Sequence, residues 1–155
     1  MHAFTQIPTV LKYAGKYAAL SLRLFYDAKK LDSFLIFDVS ASGDMINYQY
    51  VSQDCTCWIV VSNFSPFDYT IDRIKIEVAV EGGSFSCTNT TPYLVEGNSR
   101  KQIYVKGSSP MTKEVWEMAK NSKRGWVNIE ARINTSIHSF NLTRQITDVK
   151  NIRVL

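Results

Sequence analysis

Hydrophobic and polar residues alternate along this chain with two different periods, and the switch between them marks its organisation. Between Thr9 and Leu31 apolar residues recur at spacings of three and four, at Leu11, Ala14, Ala18, Leu22 and Phe25. Tyr13, Tyr17, Leu20 and Leu24 widen that sector, while Lys12, Lys16, Arg23, Asp27 and Lys30 gather on another side. The pattern predicts an amphipathic helix. From Phe34 onward the period drops to two. Phe34–Val39 and Ile46–Ser52 read as strands around Ser42-Gly43-Asp44, joined as a hairpin or a strand-loop-strand. Ile46, Tyr48 and Tyr50 share one face; Asn47 and Gln49 take the other.

Trp58, Ile59, Val60 and Val61 break the alternation with a continuous apolar run, which predicts a strand covered on both faces. Asn63, Ser65 and Pro66 stop it, because Pro lacks a donor and Asn tolerates turn conformations. Ile74, Ile76, Val78 and Val80 then alternate with Arg73, Lys75, Glu77 and Ala79, the mark of a half-buried strand, and Gly82-Gly83 ends it. The expectation is that this strand pairs with the buried one across the turn.

Short extended pieces follow at Ser84–Thr88 and Tyr93–Val95, then an alternating strand over Arg100–Lys106, with Ile103 and Val105 opposite Gln102 and Tyr104. Ser109 as N-cap and Pro110 at the first position predict a second helix, with Met111, Val115, Met118 and Ala119 as its apolar stripe and Trp116 widening it. Trp126 opens a strand that buries Val127, Ile129, Ala131 and Ile133. Phe140 and Leu142 begin the return, Gln145–Lys150 reads as a turn, and Ile152 and Val154 close the sheet. The predicted fold is mainly β: an immunoglobulin- or fibronectin-like antiparallel β-sandwich. It carries an N-terminal amphipathic helix over residues 1–32, and one helix is inserted before the final hairpin of the sandwich domain, residues 33–155.

A chain of 155 residues, 45% of them hydrophobic, suits one folded domain. The net charge of +4 is too small to indicate nucleic acid, and no nucleic-acid motif accompanies it. Lys12, Lys16 and Arg23 interrupt the N-terminal helix too often for a membrane span, and they sit badly for a secretory signal. The helix then packs on the sheet or a partner, lies on an anionic membrane, or serves in targeting. Lys12, Lys16, Leu20, Arg23 and Leu24 are its candidate contact residues.

Little else in the sequence carries chemistry. Cys55, Cys57 and Cys87 make an odd count, which argues against a disulfide framework and fits buried thiols in strands. A Cys57–Cys87 bridge or a metal site is the alternative. Asn63, Asn89, Asn134 and Asn141 head Asn-x-Ser/Thr triplets, read here as sheet and turn chemistry in the absence of an export signal. His2 and His138 have no Cys or carboxylate at metal-ligand spacing, no Gly-rich phosphate loop opens a helix, and Asp38, Asp44 and Asp54 are dispersed turn carboxylates. No catalytic residue, cofactor or metal is expected.

Trp58-Ile-Val-Val-Ser-Asn63 with Pro66, the stretch Ile71–Gly83 and the strand Trp126–Ile133 together resemble the second class of late-embryogenesis-abundant proteins, the water-stress and hypersensitive-response domain. The likeness covers about Cys57–Leu155. Phe64 and Ser65 separate Asn63 from Pro66, where the family has an Asn-Pro pair, and the N-terminal helix lies outside the family domain. The resemblance implies a non-catalytic sandwich and a role in stress protection, often beside a membrane anchor. The functional expectation is a binding or structural module for a protein partner, in the cytoplasm. Its alternative is a membrane-peripheral or lipid-interacting protein attached through the N-terminal helix.

Overall fold

The computed structural model describes residues 18, 20–39, 45–150 and 152–155, and within them the period-two stretches form two facing sheets. The first contains β1 (Leu35–Val39), β2 (Ile46–Gln49), β3 (Asp54–Asn63), β7 (Ser99–Ser108) and β10 (Ile152–Val154). The second contains β4 (Tyr69–Val80), β5 (Gly83–Asn89), β6 (Tyr93–Val95), β8 (Arg124–Asn134) and β9 (Ser139–Lys150). Among the described residues three helical segments accompany them: α1, which includes residues 18 and 20–25, α2 (Ala28–Ser33) and α3 (Lys113–Ala119). The fold is the expected β-sandwich. Its core is the inner face of both sheets, with Ile59, Val61, Ile103 and Val105 from the first and Ile74, Ile76, Ile129 and Ile133 from the second fully buried.

The expected pairing of β3 with β4 does not occur. The two strands belong to different sheets, and Asn63–Pro66 is the corner where the chain crosses between them. The cause is the Asn63 side chain, which is buried. Its Nδ2 donates to the carbonyls of Phe67 at 2.7 Å, Glu96 at 3.0 Å and Val95 at 3.4 Å. Its Oδ1 accepts from Ser65 N and Ser65 Oγ, both at 2.9 Å. This Asx-type turn draws the chain toward the β6–β7 connection instead of folding it back along β3.

β3 is the axis of the first sheet. β7 pairs along its whole length, from Asp54↔Ser108 to Asn63↔Ser99. β1 and β2 share its other edge, with Val39 opposite Ile59 and Ile46 opposite Cys57. They are therefore the expected strand-loop-strand and not a hairpin with each other. Only Trp58 lies between those two register positions, and its N–H bonds Met45 O at 2.8 Å. The loop residues 40–44 lie outside the described residues.

In the second sheet the register of β4 on β8 shifts between Ile71 and Arg73. That bulge changes the parity of the strand, so Tyr69 and Ile71 face the core on one side of it and Ile74, Ile76 and Val78 on the other. Gly82 turns the chain from β4 into β5 at φ 89°, a conformation that glycine supplies without a steric cost. Gln145–Lys150 is not a turn. β9 runs unbroken to Lys150, absorbs a register shift against β8 and places Val149 in the core. β10 then pairs in parallel with β2 in the first sheet.

The helices depart from expectation in two places. The predicted N-terminal helix breaks at Tyr26–Asp27, because the Asp27 carboxylate accepts from Lys30 N at 2.7 Å and caps a separate helix, α2. Its portion before residue 18 lies outside the described residues. Leu31 of α2 is fully buried, its carbonyl accepts from Tyr69 Oη at 2.9 Å, and Asp32 pairs with Arg144 at 2.7 Å. α3 starts at Lys113 with Thr112 as N-cap, not at Ser109. Ser109 is held elsewhere: its Oγ accepts from Ser86 N at 3.0 Å and its carbonyl from Tyr48 Oη at 2.8 Å. Met111 is buried ahead of the helix, Trp116 stacks on Tyr50 at 4.9 Å, and Met118 is left exposed.

Asn63→Ala strips the corner of its donor and acceptor while leaving the apolar core intact. It is expected to lower the unfolding free energy by roughly 3 kcal/mol, measured by urea titration. Ser65→Ala, which spares the amide, is expected to cost about 1 kcal/mol. Equal, small effects from both would remove the corner from its central position.

Candidate interaction surface

Along β3 the odd positions from Cys55 to Asn63 face the other sheet, so Trp58 and Val60 point outward. This corrects the reading of a strand covered on both faces: Val60 is buried, but Trp58 is 36% exposed. Tyr104 on β7 sits directly opposite Trp58 in register. The two rings lie 4.6 Å apart, tilted by 43°, and Tyr104 is 40% exposed. Ile36, on β1 opposite Ser62, is exposed on the same face. At its end the exposed Phe64 lines a shallow recess with Ser62, Asn98, Ser99 and Arg100. An aromatic pair with exposed aliphatic and aromatic neighbours is the composition that interface cores favour.

Charge borders this stripe unevenly. Arg100 and Lys106 flank it on β7, Lys106 meeting Asp54 at 3.5 Å, and Asp38 stands on the β1 side. The sequence holds the signal for this surface, since Trp58 falls out of phase with Cys57, Ile59 and Val61, and Tyr104 falls out of phase with Ile103 and Val105. The apolar run hid it.

Of the residues singled out on the N-terminal helix, Lys12 and Lys16 lie outside the described residues. Leu20, Arg23 and Leu24 are on α1 and exposed. Leu24 is 84% and Phe25 70% exposed, whereas Tyr26, just beyond, packs edge-on against Phe67 at 5.0 Å. α1 approaches the β8–β9 turn through His138 Nε2, which is 3.4 Å from Arg23 O. His2 and Asp44 lie outside the described residues. Asp38 accepts from Val39 N at 2.8 Å. Among the described residues no group of three or more His, Cys, Asp or Glu could hold a metal ion, and no helix is long and apolar enough to cross a membrane. Of the Asn-x-Ser/Thr residues, Asn63 is consumed by the corner, and Asn134 donates to Asp72.

All three thiols are free and buried between the sheets. Cys87 Sγ is 3.5 Å from Cys57 Sγ, and Cys55 Sγ donates to Ser86 O at 3.1 Å. A hydrogen bond with Cys87, followed by burial, holds the Cys55 thiol far above its ordinary 9.0. For Cys87 the hydrogen bond from Cys55 pulls down, but the bond with Cys57 and burial outweigh it and the thiol is raised. Burial likewise raises Tyr48 and Tyr69.

No family model matches the sequence, and no curated protein matches it. Solved structures do. A structural-genomics target is 11% identical over 76% of this chain and 89% of its own, with a TM-score of 0.47. A protein from Archaeoglobus fulgidus is 13% identical over 74% and 95%, with a TM-score of 0.39. A solution structure of a protein provisionally assigned to the late embryogenesis abundant (LEA) class is 14% identical over 98% and 92%, with a TM-score of 0.41. Likeness at these levels carries no functional argument.

Neutral thiols raised by folding contribute stability that is complete below pH 9 and is lost as pH climbs through and beyond that value. With a reductant present, the unfolding free energy is expected to decline from about pH 9 upward, and Cys55→Ala to flatten that decline. Parallel pH profiles for the two proteins would contradict the assignment.

Proposed function

We propose that this chain is a non-catalytic β-sandwich module that binds a protein partner through the outer face of its first sheet. The observation that supports it is the Trp58–Tyr104 pair, in contact at 4.6 Å between tilted rings yet exposed on both members. A folded chain gains by burying such rings, and a face that leaves them in water is suited to desolvation by a partner. Lys106, next to Tyr104 on this face of β7, and Arg100 farther along the stripe favour a partner that presents an apolar side chain near a carboxylate. The sequence resemblance to the late-embryogenesis class supports a protective role in water stress, with the face shielding client surfaces. The cytoplasm is the location this reading assumes.

A photo-crosslinking residue at Gln102 on this face, and another at Thr143 on the outer face of the second sheet, test the reading in cells. Adducts with protein are expected from the Gln102 position and not from Thr143. Trp58→Ala is expected to weaken the captured complex by about 2 kcal/mol, roughly 30-fold in Kd, with the thermal midpoint nearly unchanged. Equal labelling from both faces, or labelling indifferent to Trp58, contradicts the proposal.

A second reading rests on α1, whose Leu24 and Phe25 turn away from the core. Together with Lys12, Lys16 and Arg23 they favour peripheral attachment to an anionic membrane. Co-sedimentation of the full chain with phosphatidylserine-containing vesicles is expected to be salt-sensitive, and Leu24→Asp with Phe25→Asp to abolish it. Recovery of both proteins in the supernatant removes this reading and leaves the first untouched.

A further inference from the structure

The thiol cluster lies buried between the two layers. Cys57 stands on β3, at the centre of the first sheet, and Cys87 on β5, at one edge of the second. Their sulfurs are 3.5 Å apart with 30 residues of chain between them, and both side chains are buried. The approach is permitted by Gly107, which faces Cys55 across β3 and β7. A Cβ there would lie 2.9 Å from both Cα and Cβ of Cys87. A sulfur–sulfur bond is about 2.05 Å long, so closing it calls for a relative shift of only ~1.5 Å at the ends of two side chains.

We propose that Cys57 and Cys87 are an oxidation site, forming a disulfide that staples the two sheets when the chain folds in the presence of a small-molecule disulfide such as oxidised glutathione. One cysteine thiolate of the open chain attacks the glutathione disulfide and expels one glutathione thiolate. The other cysteine thiolate attacks the resulting mixed disulfide at the protein sulfur and expels the second. Two protein thiols are oxidised, one glutathione disulfide is reduced to two thiols, and the protons lost by the cysteines balance those taken up by glutathione.

Cys55, whose thiol also hydrogen-bonds Cys87, is the competitor for it. Its sulfur is directed to Ser86 O at 3.1 Å. Cys55 and Cys57 cannot bridge each other, since residues two apart on a strand project their Cβ atoms in parallel. Burial and mutual hydrogen bonding keep the folded thiols protonated, so the folded reduced chain resists the same oxidant and the bridge is set at folding.

The full chain, reduced and unfolded in urea, is refolded in a glutathione redox buffer and in parallel in dithiothreitol. Each product is then denatured, labelled with maleimide, and analysed by intact mass and peptide mapping. The redox-buffer product is expected to carry a single maleimide, at Cys55, and a Cys57–Cys87 cross-linked peptide. Its melting midpoint is expected to rise by roughly 5–10 °C over the dithiothreitol product, a gain that reduction removes. Cys55→Ala is expected to keep the cross-link. Three maleimides, a bridge that uses Cys55, or a bridged form that melts below the reduced one overturns the proposal. If refolding yields are poor, the same mass measurement on the native chain held in the redox buffer near its melting temperature decides between these outcomes.

Discussion

The buried amide of Asn63 is the constraint on which the rest of this sandwich depends. A carboxamide can donate and accept at once, and here it satisfies carbonyls from Phe67, Val95 and Glu96 while receiving the N–H and hydroxyl of Ser65. Two separate stretches of chain, Ser65–Phe67 and Val95–Glu96, therefore meet at one side chain in the interior, where an unpaired polar group is costly. The corner sends β4 to the opposite sheet, and the connection that follows β6 returns to the same point to launch β7 along β3. Asn98, in the left-handed region at φ 52°, donates its N–H to Ser65 O at 2.8 Å and completes that return.

Once β3 is committed to the first sheet between β7 and the β1/β2 edge, the fate of its outward side chains follows. The odd positions are spent on the core, so Trp58 and Val60 face away from it. Val60 is shielded, whereas Trp58 stays 36% exposed beside Tyr104. The proposed interaction face is thus a by-product of register: the same ten-residue pairing that buries Ile59 against Ile103 sets two rings together in water. The exposed residues of α1 arise differently. Asp27 begins a new helix whose Leu31 enters the core, and the capped break leaves Leu24 and Phe25 outside it.

The inner layer is almost wholly apolar. Tyr48 and Tyr69 each carry a hydroxyl into the core, and each donates it to a carbonyl, of Ser109 and Leu31. The thiols occupy the layer as small apolar groups, packed where Gly107 allows the sheets to approach. Their chemistry is held in check by burial, and their proximity across the layers is what a bridge requires.

Period-two burial was legible in the residues themselves. Ile74, Ile76 and Val78, Ile103 with Val105, and Val127 through Ile133 all face inward as their alternation predicts, because a pleated strand offers its side chains no other choice. The β class, the strands and the apolar core came from that local rule. The hairpin of β8 with β9 was legible as well, but most other strand partners were not, since hydrogen bonding in a sheet joins residues far apart in sequence. That Asn63 forms a corner and not a hairpin, that β1 and β2 share one edge, and that β9 runs through Gln145–Lys150 were decided by contacts between distant segments. So was the candidate surface: Trp58 reads as interior within its apolar run, and only the pairing of β3 with β7 sets it beside Tyr104 on the open side.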